Sequence, residues 1–134
     1  MKEKIVIDAS GGVLGRIAAL AAKQSLLGKE VVIINCENAL ITGNPRRTID
    51  EYKQKRARGG AAQKGPNFPK SPERLMKRTI RGMLSYKKLR GLTAYKRITC
   101  YSSTPEEFKD IKTLSMKKKI KTKSIALSRL CREM

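Results

Sequence analysis

Two short apolar runs separated by a helical pattern open the chain. Ile5-Val-Ile-Asp-Ala9 is β-branched and bounded by Ser10-Gly11-Gly12, which predicts a strand. Leu14, Ile17, Ala18, Ala21 and Ser25 then recur on one helical face, with Arg16 and Lys23 opposite and Gly28 as a stop. Val31-Val-Ile-Ile-Asn35 is a continuous apolar run, the pattern of a strand covered on both faces. Strand, helix, strand is a βαβ unit, and it is followed by a short apolar segment at residues 39–42.

Beyond Asn44 the apolar pattern thins. Asn44-Pro45 joins a capping side chain to a first-turn proline, a strong helix start. The helix it opens has Ile49 and Tyr52 as its chief anchors, so it should rest on one narrow stripe and turn Arg46, Arg47, Lys53, Lys55, Arg56 and Arg58 outward. Residues 59–72 read as a long loop whose prolines, spaced three apart, permit polyproline II, with an SH3-type ligand as a competing reading. Its length implies function or disorder, and Lys64 and Lys70 suggest ordering on a phosphate backbone. A helix over 72–84 should bury Leu75, Met76, Ile80, Met83 and Leu84 and expose Arg74, Lys77, Arg78 and Arg81. Residues 87–97 repeat the theme around Leu89, Leu92 and Tyr95, with Gly91 as an interruption.

Ile98–Tyr101 reads as a fourth strand and Thr104–Glu107 as a turn or helix start. The lysine run at 116–123 reads as a solvated or RNA-facing strand or arm, and Ile125, Leu127 and Leu130 as a weakly docked terminal helix. The 134 residues suffice for one domain. Residues 1–44 would be its βαβ platform, 45–97 its basic segment, and 98–134 its last strand and tail.

Charge changes this picture most. The net charge is +20, and residues 45–97 hold 17 basic and three acidic side chains, against five and four in residues 1–44. A near-neutral scaffold with so basic a middle implies a polyanion partner, above all nucleic acid. Six aromatics without tryptophan leave little for base stacking, so backbone and shape recognition of folded RNA is expected. No apolar run approaches the roughly 20 residues that span a bilayer, and the N-terminus lacks a signal-peptide core, so a soluble intracellular protein with no membrane partner is expected. Cys36, Cys100 and Cys131 are widely spaced and histidine is absent, which disfavours disulfides, zinc and triad chemistry. No metal, cofactor or small-molecule substrate is expected.

One stretch invites a different class of function. Ser10-Gly-Gly-Val-Leu-Gly15 falls one glycine short of a dinucleotide-binding fingerprint, and Glu37 follows the second strand, where such a site keeps its ribose-binding acid. A nucleotide-binding enzyme using this loop, with Asp8 and Glu37 as candidate carboxylates, is therefore the competing reading. The simpler one makes Gly12 the turn residue and Gly15 a close-packing residue. A free-standing RNA-binding translational regulator or a DNA-compacting protein is a third.

The stretches Ile7–Arg16, Val32–Glu37, Ile41-Thr-Gly43, Arg78-Thr-Ile-Arg-Gly-Met-Leu84 and Lys88-Leu-Arg-Gly91 resemble, in order, the ribosomal protein L-thirteen family of the large subunit. The likeness covers about residues 5 to 105 and is weakest over 106–134, and the direct passage from Gly28 to Val31 looks like the archaeal and eukaryotic branch. It implies a three-layer α/β/α fold with a mostly parallel four-stranded sheet and no catalytic activity. It also implies binding to large-subunit ribosomal RNA beside neighbouring large-subunit proteins, and a role in assembling the subunit. Carried over, the contacts fall on Arg46, Arg47, Arg56, Lys64, Arg78, Arg81, Lys87, Lys88 and Arg90. The charge pattern adds Arg16, Lys53, Arg58, Lys70, Arg74, Lys96 and Arg97.

Overall fold

A computed structural model describes residues 3–58 and 68–134. The apolar runs pair as parallel strands: β1 (Lys4–Asp8) lies beside β2 (Glu30–Ile34) with Ile5 opposite Val31 and Ile7 opposite Ile33. Between them runs α1 (Leu14–Leu26), which buries Leu14, Ile17, Ala18, Ala21, Ala22 and Ser25. Gly28 takes a positive φ of 95° just past the helix end, and its N–H donates to the Ser25 carbonyl. That is the left-handed cap a C-terminal glycine provides.

The remaining elements are β3 (Leu40–Thr42), α2 (Pro45–Ala57), α3 (Pro72–Gly82), α4 (Leu89–Lys96), β4 (Ile98–Cys100), β5 (Leu114–Ser115), β6 (Ser124–Ala126) and α5 (Leu127–Glu133). The main sheet is parallel in the order β4-β2-β1-β5. On one face Ile7, Val31, Ile33 and Ile98 join α1, α3 and α4 in the main core. On the other, Val6, Val32 and Ile34 are covered by Phe108, delivered by a single 3-10 turn at Glu106–Phe108, with Tyr101 beside it. The α/β architecture is as expected, with an unequal pair of covering layers.

The tail departs from expectation. Its Leu114–Ser115 supplies the fourth parallel strand beside β1, and Ser124–Ala126 pairs antiparallel with β3. The lysine run at 116–123 contains no strand. Ile125 is 2% exposed, and Leu127 and Leu130 are wholly buried, so the terminal helix is a core element. Burying an aliphatic side chain contributes roughly 1.5–3 kcal/mol, enough for three of them to hold a short basic tail.

Glycine positions also depart from the sequence reading. Gly11, with φ 72°, makes the first turn. A Cβ on Gly12 would lie 2.9 Å from the Met116 carbonyl oxygen and the Ile17 Cδ1 atom, so Gly12 is the close-packing residue. Gly15 faces open space. Gly91 does not interrupt its helix: it is buried within α4, where any Cβ would collide with the Ser85 backbone. Because α4 packs through Gly91 and Ala94, its leucines are left outside, with Leu89 81% and Leu92 38% exposed. Met83, just beyond α3, is likewise 45% exposed.

Candidate nucleic-acid interface

The basic face is built on α2 and α3. Asn44 caps α2, its side-chain oxygen accepting from the Arg46 N–H at 3.0 Å, and Pro45 fills the first turn. The helix leans inward through Thr48, Ile49 and Tyr52, the narrow stripe the sequence predicts. Arg46, Arg47, Lys53, Arg56 and Arg58 are exposed, and Arg47 meets Glu51 at 3.4 Å on the helix surface. Such an exposed pair contributes little to stability.

In α3, Leu75, Met76 and Ile80 are buried and Arg74 and Arg81 are exposed, whereas Lys77 and Arg78, expected outward, are half-buried because each packs on an aromatic ring. Together with Pro69 and Tyr95 these arginines line an open cavity of about 280 Å3. Lys70 is exposed next to Pro69. Near the start of α3, burial works against the Glu73 carboxylate. Hydrogen bonds from Ser102 and Ser71 and from its own backbone, with Arg74 nearby, outweigh that effect and hold it below its ordinary value.

The cations of this face are seated on aromatic rings. The Arg78 guanidinium lies 3.8 Å from the Phe68 ring centre, Arg81 5.0 Å from Tyr86, and the Lys77 ammonium 4.8 Å from Tyr95. From α2, Lys55 reaches Tyr52 at 5.1 Å and Phe68 at 5.6 Å, and is half-buried where the sequence pattern predicts an outward side chain. Phe68 meets Tyr52 edge to face at 5.7 Å, so one ring ties the two basic helices together. Burial raises the Tyr52 phenol above its ordinary pKa, which keeps that ring neutral. Four of the six aromatics thus serve the basic segment, a role that charge and periodicity do not reveal. The legible signal is that all four lie within residues 52–95, among the arginines and lysines.

The other candidate cations divide by place. Lys87 and Lys88 are exposed on the turn before α4, Arg90 in its first turn and Lys96 at its far end, and Lys88 and Arg90 border a groove of about 290 Å3 with Leu26, Met83 and Gly91. Arg16 stands apart near the start of α1, where it lines a cavity of about 310 Å3 with Lys117 and Lys118. Arg97 turns inward. Its Nη1 donates to the Ser25 carbonyl at 2.8 Å, and its buried Nε has no hydrogen-bond partner among the described residues. Lys64 and most of the loop expected over 59–72 lie outside the described residues.

The glycine loop is occupied by the chain itself. The Ser10 N–H donates to the Asp8 carboxylate at 3.0 Å, the Gly11 N–H to the Asn38 carbonyl at 3.1 Å, and the Gly12 N–H to the Ala9 carbonyl at 3.1 Å. The same Asp8 oxygen accepts from the Asn35 amide at 3.1 Å, and Asn35 in turn accepts from the Thr104 hydroxyl at 2.9 Å. Asn35 holds a left-handed φ of 57°, a conformation asparagine tolerates better than most residues. From the tail, the Met116 N–H donates to the Asp8 carbonyl and the Lys118 N–H to that of Gly11.

The thiols stay buried or half-buried. A hydrogen bond with Cys100, together with burial, pushes the Cys36 thiol pKa up, and burial with Glu73 nearby pushes Cys131 up to about 11. Both therefore remain protonated and poorly nucleophilic at neutral pH. Among the described residues, no group of His, Cys, Asp and Glu is placed to hold a metal ion, and no helix is long and apolar enough to cross a membrane.

Residues 2–107 match the family described as Ribosomal protein L13. The chain is 48% identical over 112 residues to the large ribosomal subunit protein uL13 of Methanosarcina barkeri, covering 83% of this chain and 79% of the relative. It is 48% identical over 102 residues to that of Archaeoglobus fulgidus, covering 76% of this chain and 65% of the relative. Against the Methanocaldococcus jannaschii protein it is 40% identical over 132 residues, covering 96% of each and so reaching into the tail where the family resemblance is weakest. The chain therefore belongs to the ribosomal protein L13 family.

Proposed function

We propose that this chain is a structural constituent of the large ribosomal subunit, acting in the cytoplasm on the ribosome, where it binds large-subunit RNA and supports subunit assembly without catalysing a reaction. Neighbouring large-subunit proteins are its protein partners. The RNA lies against α2, α3 and the turn before α4, on the cations from Arg46 to Lys96, with Lys64 among them and Arg16 marking a second contact. The observation that carries this reading is the seating of Arg78, Arg81, Lys55 and Lys77 on aromatic rings, which fixes the basic face in place. Fixed cations suit a rigid, shaped polyanion, because less side-chain entropy is lost when each meets a phosphate. Arg97, held on the Ser25 carbonyl, contributes to that face through the position of α4 and β4 as much as through its charge.

The competing enzyme reading needs free N–H groups to cradle a phosphate, and those of Ser10, Gly11 and Gly12 already have partners within the chain. The test is the double variant Arg78→Glu, Arg81→Glu. It should bind protein-free large-subunit RNA at least tenfold more weakly at moderate salt. Its folding stability should lie within about 1–2 kcal/mol of the parent, the scale of the two cation–π interactions it removes. Undiminished RNA affinity would remove this face from the interface.

A further inference from the structure

The cavity beside α3 has more structure than phosphate neutralisation needs. Arg74, Arg78 and Arg81 border it from the helix, and Tyr95 and Pro69 supply walls without charge. A phosphate needs guanidinium forks but gains nothing from a tyrosine ring and a proline ring. A nucleobase gains from both, and it also stacks on guanidinium planes. Arg78 borders the same space, its guanidinium 3.8 Å from the Phe68 ring centre, and the Lys77 ammonium lies 4.8 Å from the centre of the Tyr95 ring. At about 280 Å3 the space takes one nucleotide unit and is far too small for a duplex.

We propose that this cavity receives a single unstacked nucleotide of the bound RNA, its phosphate on Arg74 and Arg81 and its base against Tyr95 and Pro69. The inference rests on the RNA-binding reading above and adds to it a specific insertion point. It also revises the expectation, drawn from the scarcity of aromatics, that only backbone and shape are recognised. One of the few rings present, Tyr95, lines the cavity itself.

Charge and stacking separate cleanly in a salt titration. Binding to protein-free large-subunit RNA is measured from about 50 to 200 mM monovalent salt for the parent, Tyr95→Leu, Tyr95→Phe and the double variant Arg74→Gln, Arg81→Gln. Removing two phosphate-binding cations should lower the slope of log affinity against log salt by about 1.4 to 1.8 in the arginine variant. Tyr95→Leu should weaken binding about tenfold at every salt with an unchanged slope, the scale of one base–ring stack, and Tyr95→Phe should match the parent. If Tyr95→Leu binds as the parent does while the arginine variant loses slope, the cavity faces only phosphates and the inference falls. If the parent binds no RNA, the proposed function itself falls. Should Tyr95→Leu melt early, ultraviolet cross-linking of the parent to 4-thiouridine-containing large-subunit RNA decides instead. A cross-linked base on the peptide carrying Tyr95 supports the insertion, and cross-links confined to other peptides overturn it.

Discussion

Leu130 and Leu89 are both helical leucines in basic surroundings, yet the structure assigns them opposite roles. Leu130 is wholly buried in α5, which packs against α2, α3 and the turn at Cys36–Asn38, whereas Leu89 is 81% exposed at the start of α4. Truncating a fully buried leucine to alanine costs about 2–5 kcal/mol in lost transfer energy and residual cavity. So near the end of the chain the site can relax in part, and about 3 kcal/mol is expected for Leu130→Ala. For Leu89→Ala the loss should stay within about 0.5 kcal/mol, as for an ordinary surface substitution. In a chain of this size about 1 kcal/mol moves the melting temperature by roughly 3–4 °C, so Leu130→Ala should melt about 10 °C low and Leu89→Ala within about 2 °C of the parent. Thermal unfolding followed by far-ultraviolet circular dichroism, at one pH and one protein concentration, reads both. Similar losses for the two variants, or a Leu130→Ala shift under about 2 °C, would refute the claim that the tail is part of the core.

Other consequences follow from individual residues. Gly91→Ala places a methyl group against the Ser85 backbone, so it should destabilise by more than about 2 kcal/mol despite alanine's better helix propensity. A neutral or stabilising effect in a denaturant titration would mean α4 does not pack through that residue. Glu73 has a lowered carboxylate pKa in the folded chain, so its contribution to stability is present above the unfolded-state pKa and lost as pH falls through the lower folded-state value. Ser102→Ala removes one of the hydrogen bonds that lower it and should move the acid-unfolding midpoint to higher pH; an unmoved midpoint would show that this bond does not stabilise the carboxylate.

The βαβ unit and the polar helix α2 are legible in the sequence because each rests on local patterning: β-branched runs, an alanine-rich helical stripe, and Asn44-Pro45 as a cap. The lysine and arginine clusters are legible as charge alone. What periodicity cannot show depends on the meeting of distant segments. Leu114–Ser115 is too short and too exposed to announce a strand, and it becomes one only because the edge of β1 is open to it. Gly91 looks like a helix breaker by propensity, but backbone proximity to Ser85 makes a side chain there intolerable, and that requirement also turns Leu89 and Leu92 outward. Arg97 looks like another surface cation, yet the carbonyl at the end of α1 claims it. Phe68, isolated in a proline-rich stretch of sequence, shows no periodicity, and only the fold brings it Tyr52, Lys55 and Arg78 as neighbours.

Sedimenting a cell lysate through sucrose gradients at rising salt shows whether the basic face holds the chain on large-subunit RNA. The protein should travel with large subunits at low and moderate salt and leave them only at high salt, with the Arg78→Glu, Arg81→Glu variant released at lower salt than the parent. A parent protein found free at low salt, or parent and variant released together, would contradict it.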